Sequence, residues 1–73
     1  MKLPQLKPQQ VIKALKKAGF VETRRTGSHR HFHHPDCRRT QVSVHPKTLF
    51  KGTLRAILRQ TELSLDKLLK LVK

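Results

Sequence analysis

Phe20-Val21-Glu22-Thr23-Arg24-Arg25-Thr26-Gly27-Ser28-His29-Arg30-His31-Phe32-His33-His34-Pro35-Asp36-Cys37-Arg38-Arg39-Thr40-Gln41-Val42-Ser43-Val44 is the stretch that decides the fold. Three runs in it favour extended backbone: 20–25 and 29–34, and 40–44, which alternates cleanly between apolar and polar. Gly27 supplies the turn between the first two, and Pro35-Asp36 the turn between the second and third. Short links of this kind predict an antiparallel meander. Successive side chains of a strand point to opposite faces, so the few apolar residues fix the phase. Phe32, Val42 and Val44 must face the core. Alternation then sends His29, His31 and His33 to the open face, beside Gln41, Ser43 and His45.

Outward from the sheet, helical patterns lie on both sides. Before it, 8–18 carries Pro8 at a first-helical position, an apolar stripe of Val11, Leu15 and Ala18 widened by Ile12, and Gly19 as a stop. After it, a polar connection over 45–51 leads to a helix at 53–60, with Leu54, Ile57 and Leu58 inward. Ser64 suits the N-cap of a last short helix bearing Leu65, Leu68, Leu69 and Val72. Asp66 near its start and Lys70 and Lys73 near its end complement the helix dipole. The order is αβββα plus a short C-terminal helix. This α+β fold has a three-stranded antiparallel sheet covered by helices on one face and open on the other. We expect a single domain over 1–73, with 1–7 as a loose lead.

At 73 residues the chain has room for one small core. No apolar run approaches the 18 or so residues of a membrane span, and Met1-Lys2-Leu3-Pro4 lacks the apolar segment of a secretory signal. Cys37 is the one cysteine, which suits a reducing cytoplasm. Seventeen Lys and Arg against four Asp and Glu give a formal charge of +13. Of this, +8 falls in 23–61, which holds all seven arginines and all five histidines. Arginine grips phosphate in a bidentate fork, whereas lysine acts as a hydrated point charge. So much charge of one sign exceeds what solubility needs and points to a polyanion, with nucleic acid ahead of an acidic protein or an anionic membrane surface.

The histidines admit three readings. A metal site could draw on His29, His31 and His33, with His34, His45 and Cys37 near. Alternate strand residues lie roughly 6.5–7 Å apart, however, and the surrounding field repels a cation. No metal or other cofactor is therefore expected. The histidines could equally be inert surface groups. The third reading is acid–base cleavage of RNA, in which a base takes the proton of a ribose 2′-OH and an acid protonates the departing 5′-oxygen. Imidazole fits either role near neutral pH, and neighbouring cations would stabilise charge developing on the phosphate. Ser28, His29 and the nearby Arg24, Arg25 and Arg30 are candidates for that chemistry. A helix opening at Lys51-Gly52-Thr53 offers backbone N–H groups to a phosphate, and Arg55 and Arg59 share that helix's wet face. A non-catalytic RNA-binding module would carry the same charge. A DNA-reading pair of helices at 53–72 is disfavoured, because their leucines are committed to packing.

Four motifs in order are familiar: Ala18-Gly19-Phe20, Gly27-Ser28-His29, His34-Pro35-Asp36, and Lys51-Gly52-Thr53-Leu54-Arg55-Ala56-Ile57-Leu58-Arg59-Gln60. With them the chain resembles the HicA toxin family over about 8–72. The resemblance implies a double-stranded-RNA-binding-domain-like fold and a metal-independent endoribonuclease acting on mRNA in a prokaryotic cytoplasm. It also implies neutralisation by a HicB-like antitoxin, which the charge suggests is acidic. The family's catalytic histidine maps to His29 and its turn glycine to Gly27, with Ser28 and His31 in support. The basic residues expected to hold RNA are Arg24, Arg25, Arg30, Lys51, Arg55 and Arg59. Two positions depart from the family pattern. Cys37 stands where glycine is usual, and His31 where an apolar residue is common.

Overall fold

The computed structural model describes residues 4–45 and 48–72. Helix α1, Pro8–Lys17, opens on the proline and buries Val11, Ile12, Ala14 and Leu15, leaving Lys13, Lys16 and Lys17 exposed. The amide of Lys7, just before it, donates to Gln10 Oε1 at 2.8 Å. Gly19 ends the helix with φ +100°, a left-handed conformation that a Cβ resists. A side chain there would also approach His34 Nε2 to 3.0 Å. The chain then enters the sheet through the buried Phe20.

Strands β1 (Val21–Thr26), β2 (His29–His33) and β3 (Arg39–Ser43) form an antiparallel sheet in the order β1-β2-β3. Thr26 pairs with His29 across a two-residue turn whose first residue, Gly27, has φ +61°. Turns of this length match the strand twist when the first central residue takes positive φ, which glycine does at little steric cost. The Ser28 carbonyl accepts from the Val44 amide at 2.9 Å, which ties that turn to the end of β3. The second turn closes with a His34 amide to Arg38 carbonyl bond of 2.8 Å and a Cys37 amide to His34 carbonyl bond of 2.9 Å. Cys37 sits there at φ 79°, the conformation for which glycine is suited.

The apolar residues of β2 and β3 face where alternation requires. Phe32 and Val42 are fully buried on the helix side, and Val44 packs partly against the same core. Helix α2 (Lys51–Thr61) lies along β3 and buries Leu54 and Ile57, with Leu58 half-buried. It begins two residues before the expected 53, so Lys51 and Gly52 belong to its first turn. Its C-terminus is held by Arg38, whose Nη1 donates to the Thr61 carbonyl. Helix α3 (Leu65–Val72) packs on α1 through Leu68. Ser64 Oγ accepts from the Lys67 amide at 3.1 Å, the expected N-cap. Asp66 and Lys70 stand at the favourable ends of the dipole. Lys73 lies outside the described residues, as do 1–3 of the expected lead. The α+β, αβββα order with a short last helix is therefore the observed one.

Two core residues come from stretches expected to be outside it. Leu6 and Leu49 are both buried, and the Leu49 amide donates to the Leu6 carbonyl at 2.8 Å. Each buried leucine contributes on the order of 2 kcal/mol, enough in so small a core to draw lead and connection inward. This contact fixes the segment that enters α2.

Candidate functional site

One irregularity in β1 decides which cations reach the open face. The β1–β2 register slips between Glu22 and Arg24, so Thr23 is an extra residue with no partner of its own. Strict alternation would put Arg24 with Glu22 and turn Arg25 to the opposite face. The bulge reverses this. Arg24 pairs with His31, which pairs in turn with Gln41, on the open side. Arg25 pairs with Arg30, and Arg30 with the buried Val42, on the helix side.

The consequences differ sharply. On the helix side, Arg30 Nη2 meets Glu22 Oε1 at 2.5 Å, Arg30 Nε meets Oε2 at 3.1 Å, and Arg25 Nε meets Oε2 at 2.7 Å. Arg30, then Arg25, pull the Glu22 carboxyl down to about 2 against a smaller opposing effect of burial. The Glu22 partner in turn raises the Arg30 pKa. Arg38 is absorbed in the same way. Its Nε donates to Asp36 Oδ2 at 2.7 Å, and its guanidinium lies 5.3 Å from the centre of the Phe20 ring. Burial opposes ionisation of Asp36, but the Arg38 amide and guanidinium overcome this and lower its pKa.

Val21, Arg24, Thr26, His29, His31, His33, Arg39, Gln41 and Ser43 share the open face by register, and none is acidic. Toward its Gly27 end Arg24, Thr26, His29, His31 and Gln41 line a depression of about 220 Å³. His29 is exposed. His31 is half-buried, and its Nε2 is covered and has no hydrogen-bond partner among the described residues. His31, read from sequence as a supporting imidazole, is thus the floor of the depression, and His29 is its accessible wall.

His29 also borders a second hollow. Ser28, His29, Ser43, His45, Leu49, Phe50 and Thr53 enclose a cleft of about 430 Å³ between the Gly27 turn and the start of α2. Phe50 is the N-cap residue of α2, extended at φ −68°, ψ 150°, and is 73% exposed. Among the described residues no side chain caps this helix start and no acid stands in its first turn, so the positive end of the α2 dipole is left uncompensated where Thr53 lines the cleft.

The expected site residues therefore divide. Gly27, Ser28, His29, His31 and Arg24 come together at one end of the open face, whereas Lys51 is exposed at the start of α2 and lines neither hollow. Arg25 and Arg30 are not with them but on the helix side, bound to Glu22. Arg55 and Arg59 are exposed one turn apart on α2, on the flank opposite the buried Ile57. Thr26 and Phe50 were not legible as site residues. Thr26 carries no signal of its own, whereas Phe50 is a lone aromatic directly before a helix start.

The order of elements and the Gly-Ser-His turn agree with a direct comparison. A family model described as HicA toxin of bacterial toxin-antitoxin matches residues 8–63.

The chain belongs to the HicA toxin family.

That match takes in α1, the whole sheet and α2, and so every residue of the depression and the cleft. It makes the protein the toxin of a toxin–antitoxin system, with an antitoxin as its partner. No curated protein matches the sequence closely enough to serve as an individual relative. No helix among the described residues is long and apolar enough to cross a membrane.

Proposed function

We propose that this HicA-family toxin is an endoribonuclease that cleaves mRNA in the bacterial cytoplasm, with His29 as its proton-transfer group. The observation that carries the reading is the position of His29. It is an exposed imidazole of an acid-free face, and the one that lines both the depression with Arg24 and the cleft at the start of α2. A phosphodiester seated there has Arg24 on one side and the positive end of α2 on the other. Both stabilise charge that builds on the non-bridging oxygens. Removal of the 2′-OH proton lets that oxygen attack the adjacent phosphorus. The bond to the 5′-oxygen breaks, the leaving oxygen takes a proton, and a cyclic phosphate and a free 5′-OH remain. His29 serves as the base or the acid of this step. His31 beneath it fixes the floor and with Gln41 sets the depth at which the phosphate sits.

The antitoxin we expect is HicB-like and acidic. An acid-free cationic face attracts carboxylates by the same field that attracts phosphates, so a protein that covers it excludes RNA. Arg55 and Arg59 extend the positive surface along α2 for either partner.

The test is cleavage of a defined RNA by purified protein. The parent is expected to give products with cyclic phosphate ends, in EDTA as well as without it, since each step needs only a proton carrier and fixed cations. His29→Ala is expected to lower cleavage by orders of magnitude while keeping the fold and RNA binding. Equal cleavage by His29→Ala would overturn the assignment. RNA binding without product at any enzyme concentration would leave a non-catalytic RNA-binding module instead.

A further inference from the structure

We infer that the cleft between the Gly27 turn and α2 is a nucleobase subsite, with Phe50 as the side chain on which the base stacks. This subsite rests on the RNA-cleaving role proposed for His29 and is its immediate neighbour. His29 is the residue shared by two hollows of different character. One is the polar depression with Arg24, His31 and Gln41. The other is the cleft beside it, lined by Leu49, Phe50 and Thr53 on one side and by Ser28, Ser43 and His45 on the other.

This pairing matches the chemistry of a nucleotide. RNA alternates an anionic phosphate with a flat, largely apolar base that prefers an aromatic surface to water. A phosphate held in the depression places an adjacent base within one nucleotide of His29, where the cleft lies. At about 430 Å³ the cleft is in the range of pockets that hold small flat ligands.

Phe50 has no core function that explains its exposure. It is 73% exposed, while its neighbour Leu49 is buried and bonded to Leu6. Leu49 therefore anchors the segment, and Phe50 is held out over the cleft at a fixed backbone position, which lowers the ordering cost of stacking. Ser28 and Ser43 lie on the opposite wall. Ser43 Oγ accepts weakly from the His45 amide at 3.4 Å, which leaves its own proton for a ligand. Arg24 in the adjoining depression and the exposed Lys51 next to Phe50 in the chain favour a polyanion over a neutral apolar peptide. The occupant is thus an unpaired base of single-stranded RNA, and Phe50 sets which bases flank the cleaved bond.

The chain contains no Trp or Tyr, so Phe50→Trp creates a single fluorophore at the cleft. In a His29→Ala background, which suppresses turnover, short single-stranded RNA is expected to quench that Trp. The same strand with abasic sugars is expected not to. In the catalytic background, Phe50→Ala is expected to lower kcat/KM about 5- to 150-fold, the range for loss of one stacked base. It should also flatten the preference among cleavage sites, with Tm unchanged. Phe50→Tyr should restore both rate and preference. Equal quenching by abasic RNA, or an unchanged rate and site preference in Phe50→Ala, overturns the subsite. Quenching by the antitoxin but not by RNA also overturns it and gives the cleft to a protein. If RNA quenches the Trp but the parent protein cleaves nothing, the nuclease role falls and the subsite stands.

Discussion

The two faces of the sheet carry similar numbers of arginines and treat them in opposite ways. On the helix side, Arg25 and Arg30 close on Glu22, so one carboxylate offsets part of their charge within the fold. On the open side, Arg24 and Arg39 stand among three histidines with no carboxylate on the same face. The contrast shows that the net charge of +13 overstates what a partner feels in some places and understates it in others. Acids are placed where cations must be quieted, at the hairpin and at the β2–β3 turn. They are left out where the cations are to meet something else.

The largest effect should come from His29. His29→Ala is expected to lower RNA cleavage about 10²- to 10⁴-fold, the usual contribution of a positioned proton-transfer group. Its Tm should not move, because the side chain is exposed. Arg30→Ala should do the reverse and lower Tm while leaving cleavage per folded molecule intact. A large loss of cleavage in folded Arg30→Ala would break the division of the faces.

Next in size is a difference between neighbours in sequence. Removing a side chain that neutralises one phosphate lowers the salt dependence of RNA binding by about one unit of slope. Arg24→Ala is expected to show that reduction and Arg25→Ala to show none, with affinities measured at several salt concentrations in the His29→Ala background. The pair is adjacent in the chain, so only the bulge at Thr23 separates their outcomes. Equal slopes for the two variants would mean that the register of β1 does not govern how RNA is held.

That bulge also marks the limit of what the sequence discloses. Phe32, Val42 and Val44 fixed the phase of β2 and β3, because each apolar side chain had one face to go to. In β1 no such anchor exists: Val21 is 61% exposed, and Glu22 to Thr26 are all polar. A bulge shifts alternation by one without altering composition, so Arg24, Arg25 and Arg30 could be grouped by proximity but not sorted by face. Leu6 and Leu49 were hidden for a related reason. Each lies in a short irregular stretch, with no periodicity to reveal its partner. The site was legible where a backbone requirement marked it, at Gly27 before Ser28 and His29. It was illegible at Phe50, whose position follows from the Leu49 anchor.

A smaller effect belongs to the β2–β3 turn, away from both faces. Cys37 holds φ 79° with a side chain that this conformation disfavours. Cys37→Gly is expected to raise stability by about 1 kcal/mol by denaturant unfolding, less whatever glycine loses in the unfolded state. Cleavage should be unchanged, because the turn joins β2 and β3 at the end of the sheet opposite His29. A Cys37→Gly protein that cleaved RNA differently would connect this turn to the open face and blur the contrast.

The gentlest probe is acid, read through the Glu22 carboxyl on the covered side. The Glu22 carboxyl is lowered from its ordinary 4.5 to about 2, chiefly by the hydrogen bond from Arg30 and then by that from Arg25. A group with a depressed folded-state pKa stabilises the fold fully above its unfolded value, and that stabilisation is lost as pH falls through the folded value. Stability should therefore be level above about pH 4.5 and decline between there and about pH 2, as the unfolded chain gains its proton first. Asp36, lowered by Arg38, declines in the same direction. Glu22→Gln should flatten the part of the decline that Glu22 contributes. The comparison with Arg24→Ala is the useful one. Removing an open-face cation leaves no acid on that face to be uncovered, so the acid limb of Arg24→Ala should superimpose on that of the parent. Removing Arg30 frees Glu22 to take up protons nearer its ordinary value and shortens the declining limb from its acid end. If Arg24→Ala altered the acid limb as Arg30→Ala does, the open-face arginine would be supporting Glu22 as well, and the charges of the two faces would not be separate.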